Sequence, residues 1–143
     1  MKKKHIHIIG AGLSGMVAGI ALAREGYRVT ISDAQKKIGG SPLLHPSVHT
    51  TPAQLPELCE YTGIDFSDAF VPCDPYPVFY NKTRRLVFPP YVRYNRAYCI
   101  ERGSRPSSID NFLYRIAVQE GVGFEFGRKA DFPSLGPGTI VAT

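Results

Sequence analysis

Residues 5–33 read HIHIIGAGLSGMVAGIALAREGYRVTISD, and this stretch decides the fold. A β-rich run over 5–9 is followed by a glycine-rich turn, by apolar residues at helical spacing, and by a second alternating run over 27–32. A strand, a helix and a second strand within about 30 residues form a βαβ unit, in which the two strands pair in parallel. Gly26 follows the helical pattern, where the end of a helix favours glycine. The stretch therefore predicts an α/β fold with a parallel sheet.

The glycine-rich turn has the pattern GxGxxG at Gly10, Gly12 and Gly15. In a dinucleotide-binding βαβ unit the first glycine permits the tight turn and the second lets a pyrophosphate approach the backbone. The third lets the helix pack closely on the strand. The amides of Leu13 and Ser14 would then point at phosphate oxygens, at the positive end of the helix dipole. The pattern therefore predicts a Rossmann-like FAD/NAD(P)-binding unit.

An acidic residue, Asp33, ends the second run. A carboxylate at this place accepts hydrogen bonds from the hydroxyl groups of an adenosine ribose. The same negative charge repels a 2′-phosphate, so the site favours FAD or NAD over NADP. The alternative, a glycine turn that serves packing alone, does not explain the acid.

The rest of the chain predicts one domain over 1–143 with an irregular insertion at 41–96. Prolines and glycines mark 38–52 as a loop, and a short helix is expected over 56–61 with Gly63 after its end. Residues 66–77 are rich in turn signals. Two β-rich runs flank a turn at 81–84, and they predict a hairpin over 76–90 that forms a small antiparallel layer.

The C-terminal third returns to the α/β pattern. A strand is expected over 97–102, and Ser107–Asp110 resembles a capping box at the start of a helix that Gly121 ends. Two further strands follow. The parallel sheet is therefore expected to consist of residues 5–9, 27–32, 122–126 and 139–142.

A glycine pair, Gly39 and Gly40, follows Asp33 after five intervening residues. The glycine-rich βαβ unit followed by acid-x5-Gly-Gly resembles the FAD-dependent oxidoreductases with a glutathione-reductase-like nucleotide-binding fold; simple NAD dehydrogenases lack the pair. GAGLSG with this pair is similar to amine oxidases, phytoene desaturases and geranylgeranyl reductases. AYCIERG at 97–103 and SSIDNFLYRIAVQEGVGFEF at 107–126 are similar to the geranylgeranyl-reductase branch, and GTIVAT at 138–143 resembles the family's A-T-G strand.

The resemblance implies FAD as the cofactor and assigns residues of this chain to it. Gly10, Gly12, Leu13, Ser14 and Gly15 would hold the pyrophosphate, and Asp33 the adenosine ribose with Ala34 beside the adenine. Gly39, Gly40 and Ser41 would pass close to the pyrophosphate and ribityl part, Arg102 would reach the cofactor from a strand end, and Ala130 would contact the adenine through its backbone. Ser41 stands where the family commonly has arginine or another polar residue, and a serine brings no charge to a phosphate.

The resemblance also implies hydride transfer between the flavin and a hydrophobic small-molecule substrate. The geranylgeranyl-reductase features favour an isoprenoid and reduction of a carbon–carbon double bond, whereas GAGLSG equally fits amine oxidation or desaturation. Aromatic residues of the insertion could line an apolar pocket or serve as ordinary sheet core: Phe79, Tyr80, Phe88, Tyr91 and Tyr94. No catalytic residue is assigned, because in flavoenzymes the cofactor performs the redox step.

Two alternatives to a complete enzyme stay open: a non-catalytic module that binds FAD, NAD or ADP, and one half of a split flavoprotein. The family's enzymes run to several hundred residues and use segments after the A-T-G strand. We therefore expect the 143-residue chain to be inactive alone, with a partner chain or a further C-terminal region completing the site.

Composition narrows the remaining function classes. The net charge of +5 and the arginines interleaved with tyrosines over 84–105 fit an anionic cofactor or a lipid surface, so peripheral membrane contact stays open. Nucleic-acid binding is not expected, because no nucleic-acid motif is present. The basic start and the apolar run imitate a signal peptide, which explains neither the glycine spacing nor the strand after it.

Cysteine and histidine complete the expectations. Three cysteines without a CxxC pair predict reduced thiols and a cytoplasmic protein. His45 and His49 have a ligand spacing only if they are helical, and Pro46 lies between them. We therefore expect no metal site.

Overall fold

The structure, a computed structural model, describes residues 4–41, 46–73, 82 and 96–142. Its strands and helices in chain order are β1 (His5–Ile9), α1 (Leu13–Arg24), β2 (Arg28–Asp33), β3 (Ser47–Ala53), α2 (Leu55–Thr62), β4 (Val71–Cys73), β5 (Arg96–Arg102), α3 (Ile109–Gln119), β6 (Gly123–Phe126) and β7 (Thr139–Val141). A single 3-10 turn, Phe132–Ser134, precedes β7. The chain divides into a larger unit of residues 1–47 and 101–143 and a smaller unit of residues 48–100.

The larger unit contains a four-stranded sheet in the order β6-β2-β1-β7. All three neighbouring pairs are parallel, and the register places Ile8 beside Ile31 and Ile31 beside Phe124. The predicted α/β fold and the four predicted strands of the parallel sheet are therefore confirmed, and no strand end differs from its predicted position by more than one residue.

The core of the larger unit lies between the sheet and helices α1 and α3. Ile8, Met16, Ile20 and Ile31 are fully buried, and Leu113 of α3 is 1% exposed. The helix and the sheet approach closely because α1 has a glycine on its inner face: a Cβ atom at Gly19 would lie 2.9 Å from Ile31 Cδ1. The helix that the sequence predicts between the glycine-rich turn and the second strand is confirmed as α1, and it packs on the sheet.

A glycine stops each of the two described helices of this unit just after its last turn, and α3 begins at a serine N-cap. Gly26 has φ +85° and Gly121 has φ +83°, a left-handed conformation that favours glycine and stops the helix. The expected capping box at Ser107–Asp110 is wrong by one residue. Ser108 is the N-cap, and its Oγ accepts from Asn111 N at 3.2 Å. Asp110 has other partners, which lie in the candidate site.

The smaller unit contains a three-stranded sheet in the order β3-β5-β4, with β4 antiparallel to β5. Two expectations are wrong here, because β3 occupies part of the expected loop over 38–52 and β4 lies within the turn-rich region. Val48 and the threonines at 50 and 51 favour a strand, and Pro52 is tolerated because β3 is an edge strand. The predicted antiparallel layer is thus present, but β3, β5 and β4 form it.

Helix α2 and an aromatic cluster complete the smaller unit. The helix covers the predicted 56–61, and Gly63 ends it with φ +64°. Phe70 contacts both Phe66 and Tyr98 edge to face, with ring centroids 5.5 and 5.6 Å apart. The predicted hairpin over 76–90 lies outside the described residues apart from Lys82. Among the described helices, none has the length and apolar character that a membrane crossing needs.

Candidate dinucleotide-binding site

The candidate site lies at the carboxyl ends of β1 and β2, which is where open α/β sheets bind ligands. The turn from Gly10 to Gly12 joins β1 to α1. Gly10 N donates to Ser32 O at 2.8 Å, which fixes the start of this turn against the end of β2. The glycine-rich turn and Asp33 are therefore neighbours, as the βαβ pattern predicts.

The three motif glycines meet different steric demands. Gly10 has φ +108°, which residues with a side chain rarely adopt. A Cβ atom at Gly15 would lie 1.9 Å from Gly10 O, so the close packing of α1 on the turn requires glycine there. At Gly12 a Cβ atom would meet no atom of the described residues within 4 Å, apart from its own chain neighbours. The protein's own packing therefore does not explain glycine at position 12, whereas a ligand that approaches this backbone does.

The first turn of α1 leaves its amides available to a ligand. Gly12 is the N-cap in an extended conformation, and no side chain among the described residues caps this end. The first turn contains no acidic residue. Helix geometry leaves the amides of Leu13 and Ser14 without partners inside the helix, at the positive end of its dipole. This end of α1 therefore suits an anion.

The Asp33 carboxylate is fixed by two backbone donors. Its Oδ2 accepts from Ala11 N at 2.7 Å and its Oδ1 accepts from Gln35 N at 2.7 Å. A carboxylate has about four acceptor positions, so capacity remains for the hydroxyl groups of a ribose. The bond to Ala11 links the end of β2 to the glycine-rich turn, and the carboxylate is positioned before any ligand arrives.

Two clefts meet at Asp33. The first, which we call the glycine cleft, is lined by Ala11, Gly12, Asp33, Gln35, Lys37, Ile38, Gly39, Gly40, Ser41, Arg102 and Asp110. The second, which we call the edge cleft, is lined by Ile9, Gly10, Ser32, Asp33, Ala34, Arg128, Lys129, Ala130 and Phe132. A ligand whose ribose lies at Asp33 could extend into both clefts.

The clefts bring most of the predicted site residues together. The glycine cleft contains Gly12, Asp33, Gly39, Gly40, Ser41 and Arg102, and the edge cleft contains Gly10, Asp33, Ala34 and Ala130. Leu13, Ser14 and Gly15 are not among the lining residues of either cleft. Leu13 and Ser14 could contribute their amides, and Gly15 serves packing. The cofactor roles of all twelve residues stay predictions.

The glycine pair at 39 and 40 meets a demand of the protein itself. A Cβ atom at Gly39 would lie 2.1 Å from Gly103 O, and one at Gly40 would lie 2.8 Å from Lys37 O. Gly39 also has φ +58°. The pair therefore allows two stretches of backbone to touch beside the glycine cleft, in addition to any approach by a cofactor.

Arg102 reaches the glycine cleft already paired. Its Nε donates to Asp110 Oδ2 at 3.0 Å, its Nη2 donates to Asp110 Oδ1 at 3.1 Å, and Gly103 N donates to Oδ2 at 2.9 Å. Asp110 is only 2% exposed. The ion pair fixes the guanidinium group and compensates its charge, so Arg102 brings geometry to the cleft rather than a free positive charge. The sequence pattern did not predict Asp110 as the partner of Arg102.

Three basic residues of the clefts were missed by the sequence reasoning. Lys37 lines the glycine cleft, and Arg128 and Lys129 line the edge cleft. Arg128 N donates to Asp33 O at 2.9 Å, which ties the chain after β6 to the end of β2. Two consecutive basic residues directly after a predicted strand of the parallel sheet were the available signal, because the ends of parallel strands share one edge.

A polar network crosses the sheet beside the edge cleft. His7 Nε2 and Ser32 Oγ lie 2.7 Å apart, Ser32 Oγ donates to Glu125 Oε2 at 3.2 Å, and Arg128 pairs with the same carboxylate. The hydrogen bond from Arg128, followed by that from Ser32, lowers the pKa of Glu125. Glu125 therefore stays ionised and holds Arg128 at the cleft.

Other expectations give a mixed result. His45 and the five aromatic residues proposed to line an apolar pocket lie outside the described residues. His49 lies in β3 and not in a helix. The described part of the chain contains no group of three or more potential metal ligands.

Comparisons with known proteins agree with this geometry. Residues 8–51 match the family model of the NAD(P)-binding Rossmann-like domain. Among curated proteins, the flavin-containing monooxygenase FMO GS-OX2 of Arabidopsis thaliana is 34% identical over 55 residues, which cover 38% of this chain and 12% of that protein. The 4,4′-diaponeurosporene oxygenase of Staphylococcus aureus (strain USA300) is 36% identical over 75 residues, covering 46% of this chain and 15% of the relative. The chain thus spans only a small part of these relatives.

Solved structures share the fold. A tetrameric form of 2-methyl-3-hydroxypyridine-5-carboxylic acid oxygenase has a TM-score of 0.65 at 16% identity, covering 91% of this chain and 33% of the other. The structure of CtdE in complex with FAD has a TM-score of 0.59 at 18% identity, with 90% and 31% covered. The resemblance to FAD-dependent oxidoreductases is confirmed by this set of relatives. Residues 8–51 are therefore similar to the NAD(P)-binding Rossmann-like domain, within a fold that the chain shares with a solved oxygenase.

Proposed function

We propose that this chain binds FAD as the nucleotide-binding part of a flavin-dependent oxidoreductase. The observation that carries the proposal is Gly12, a glycine that the protein's own packing does not require, at the uncapped start of α1. It lies in the same cleft as the fixed carboxylate of Asp33. The relatives named above, and the FAD bound to CtdE, support FAD as the dinucleotide.

The residues of both clefts fit the parts of FAD. The amides of Leu13 and Ser14, with the open backbone at Gly12, would hold the pyrophosphate. Asp33 would accept from the adenosine ribose, and Ala34 and Ala130 would lie beside the adenine in the edge cleft. The remaining residues of the glycine cleft would contact the rest of the diphosphate and ribityl part: Lys37, Gly39, Gly40, Ser41 and Arg102.

The chain's own contribution is to bind and orient the cofactor. Bound flavin would supply hydride or electron transfer to a substrate. Lys37 and Lys129 add positive charge beside the expected diphosphate and adenosine, which offsets the charge of the ligand. We assign no catalytic residue to the described part of the chain.

The substrate, partners and location of the whole protein belong to the same proposal. One relative is named as a diaponeurosporene oxygenase, and residues 97–126 resemble geranylgeranyl reductases. Both support a hydrophobic, isoprenoid-like small molecule as substrate. Because such a molecule dissolves poorly in water and partitions into membranes, we also propose peripheral membrane contact. A partner chain or a further region would complete the active site. The cysteine usage supports a cytoplasmic protein.

A second candidate is a module that binds NAD or ADP without catalysis. The description of the matching family model, which names NAD(P), favours it. Such a module would use the same glycine-rich turn and Asp33, and it differs in the ligand that it selects.

Titration of the purified chain with FAD, NAD and ADP separates the candidates. We expect flavin absorbance in the purified protein and the tightest binding for FAD. Asp33→Ala should weaken FAD binding by about tenfold or more, because a hydrogen bond to a charged group contributes about 1.5–3 kcal/mol. Asp68→Ala, an exposed carboxylate of the smaller unit, is the matched control and should change nothing. Tighter binding of NAD than of FAD would overturn the proposal in favour of the second candidate.

A further inference from the structure

Two of the three cysteines meet in the smaller unit. Cys73 is the last residue of β4 and Cys99 lies in β5. The antiparallel register pairs Val71 with Cys99 and Cys73 with Ala97. Alternate residues of a strand share a face, so both cysteines project from the same face of the strand pair, on a diagonal. Their sulfur atoms lie 2.7 Å apart.

The surroundings fit a pair of thiols that reacts as a unit. Both cysteines are only partly buried, so a small molecule can reach them. No group of three or more potential metal ligands occurs in the described part of the chain, so the two sulfurs are not part of such a group. The hydrogen bond to Cys99, with a smaller effect of burial, raises the pKa of the Cys73 thiol.

We propose that Cys73 and Cys99 form a modification site that a peroxide oxidises to an intramolecular disulfide. The thiolate of one cysteine attacks one oxygen of hydrogen peroxide, the O–O bond breaks, and a sulfenic acid and hydroxide form. The sulfur of the other cysteine then attacks the sulfenic sulfur, the S–O bond breaks, and the hydroxyl group leaves with a proton as water. Two thiols lose two electrons in total, and one peroxide is reduced to two waters.

The third cysteine provides an internal comparison. Cys59 lies in α2 and its Sγ accepts from Phe66 N at 3.5 Å, with no second sulfur as partner among the described residues. In a reducing compartment a disulfide that forms only with an oxidant is typical of redox sensing rather than of structure. The site does not depend on the dinucleotide, and its test is independent of FAD binding.

Peroxide treatment of the reduced 143-residue chain tests the proposal. The remaining thiols are then alkylated and the protein is digested. Mass spectrometry should find that the number of alkylated cysteines falls from three to one, with Cys59 alkylated and the peptides of Cys73 and Cys99 linked. The reaction should not depend on protein concentration, because the bridge is intramolecular. A bridge that contains Cys59, or three thiols still alkylated after peroxide treatment, would overturn the proposal.

Single variants and a dithiol reagent complete the test. Cys73→Ser and Cys99→Ser should each abolish the bridge, whereas Cys59→Ser, the matched control, should form it at the rate of the unaltered chain. Phenylarsine oxide, which bridges two neighbouring thiols, gives a measurement without any substitution. It should protect Cys73 and Cys99 from alkylation at one equivalent and leave Cys59 reactive. Equal alkylation of all three cysteines would contradict the paired geometry.

Discussion

At the scale of single residues, Gly12 and Gly15 belong to one motif but meet different demands. A Cβ atom at Gly12 would project into open space beside the glycine cleft, whereas one at Gly15 would overlap the Gly10 carbonyl oxygen. The two positions therefore separate a glycine that we propose admits a ligand from one that the packing of α1 requires. The same substitution at each position should give opposite results.

Gly12→Ala should fold normally and lose affinity for the dinucleotide. Apart from its chain neighbours, the added methyl group meets no atom of the described residues within 4 Å, and φ at this position is −73°, so the change in unfolding free energy should stay within about 0.5 kcal/mol. In the proposed binding mode the methyl group would occupy the path of the pyrophosphate, and we expect at least about tenfold weaker FAD binding, or about 1.4 kcal/mol. Denaturant unfolding and FAD titration measure the two quantities. Gly136→Ala, at an equally open glycine outside both clefts, is the control and should alter neither.

Gly15→Ala should instead destabilise the larger unit. Its Cβ would lie 1.9 Å from a backbone oxygen that cannot move without the turn, so a loss of about 3 kcal/mol or more is expected. The measurement is the free energy of unfolding in urea. A Gly15→Ala protein as stable as the original would show that α1 does not pack on the turn as described.

At the scale of elements, Asp110 joins the start of α3 to the end of β5. It accepts three hydrogen bonds, from Arg102 and from Gly103 N, while almost fully buried. Removing its charge leaves the guanidinium group without its partner. The side chain of Arg102 is 23% exposed, so water relieves part of this cost.

Asp110→Asn should therefore lower the free energy of unfolding by about 2–3 kcal/mol, less than a fully buried pair would lose. Glu120→Gln provides the control, because it removes the partner of Arg24 in an ion pair whose side chains are 36% and 32% exposed, and it should cost under about 1 kcal/mol. Urea unfolding of both variants is the measurement. Equal losses would indicate that the buried position of Asp110 brings no extra stability.

The strand β6 contributes a titration that should be visible in acid. The pKa of Glu125 is lowered in the folded protein, chiefly by Arg128 and then by Ser32. Its stabilising contribution is therefore present above the pKa of the unfolded chain and is lost as the pH falls through the lower pKa of the fold. Glu125→Gln should flatten the loss of thermal stability between about pH 5 and pH 3. If Glu125→Gln loses thermal stability at low pH as steeply as the original protein, Glu125 does not contribute through this network.

The elements also show how far the sequence predicts this molecule. The βαβ unit, α3 and the parallel strands follow from strong periodicity and from glycines at fixed places, and they were found. β3 and β4 were missed because edge strands that contain proline have a weak local pattern, and β4 has only three residues; both strands form by pairing with β5. Asp110, the partner of Arg102, was missed because the two residues meet only in the folded unit, and the place of Arg128 was missed because it depends on the contact of Arg128 N with Asp33 O. Asp33 was found because its place at the end of a strand is itself a sequence feature.

At the scale of the whole molecule, ligand binding and stability are linked. A ligand that binds only the folded protein stabilises it by RT ln(1 + [L]/Kd), about 2.7 kcal/mol at a hundredfold excess over Kd. The two clefts are built from the glycine-rich turn, the end of β2 and the segments after β5 and β6. FAD should therefore stabilise the larger unit as a whole and raise its thermal midpoint.

NADP should raise that midpoint less than FAD does, although Arg128 and Lys129 lie in the same cleft as Asp33. Arg128 is already paired with Glu125, and in the proposed binding mode the Asp33 carboxylate would repel a 2′-phosphate on the ribose. Thermal unfolding with FAD, NAD and NADP at equal concentrations measures the order. Asp33→Asn removes the repulsion, so in this variant the midpoint with NADP should approach the midpoint with FAD. If NADP stabilises the unaltered chain most, Lys129 outweighs Asp33 and the selectivity argued from the acid at the end of β2 is wrong.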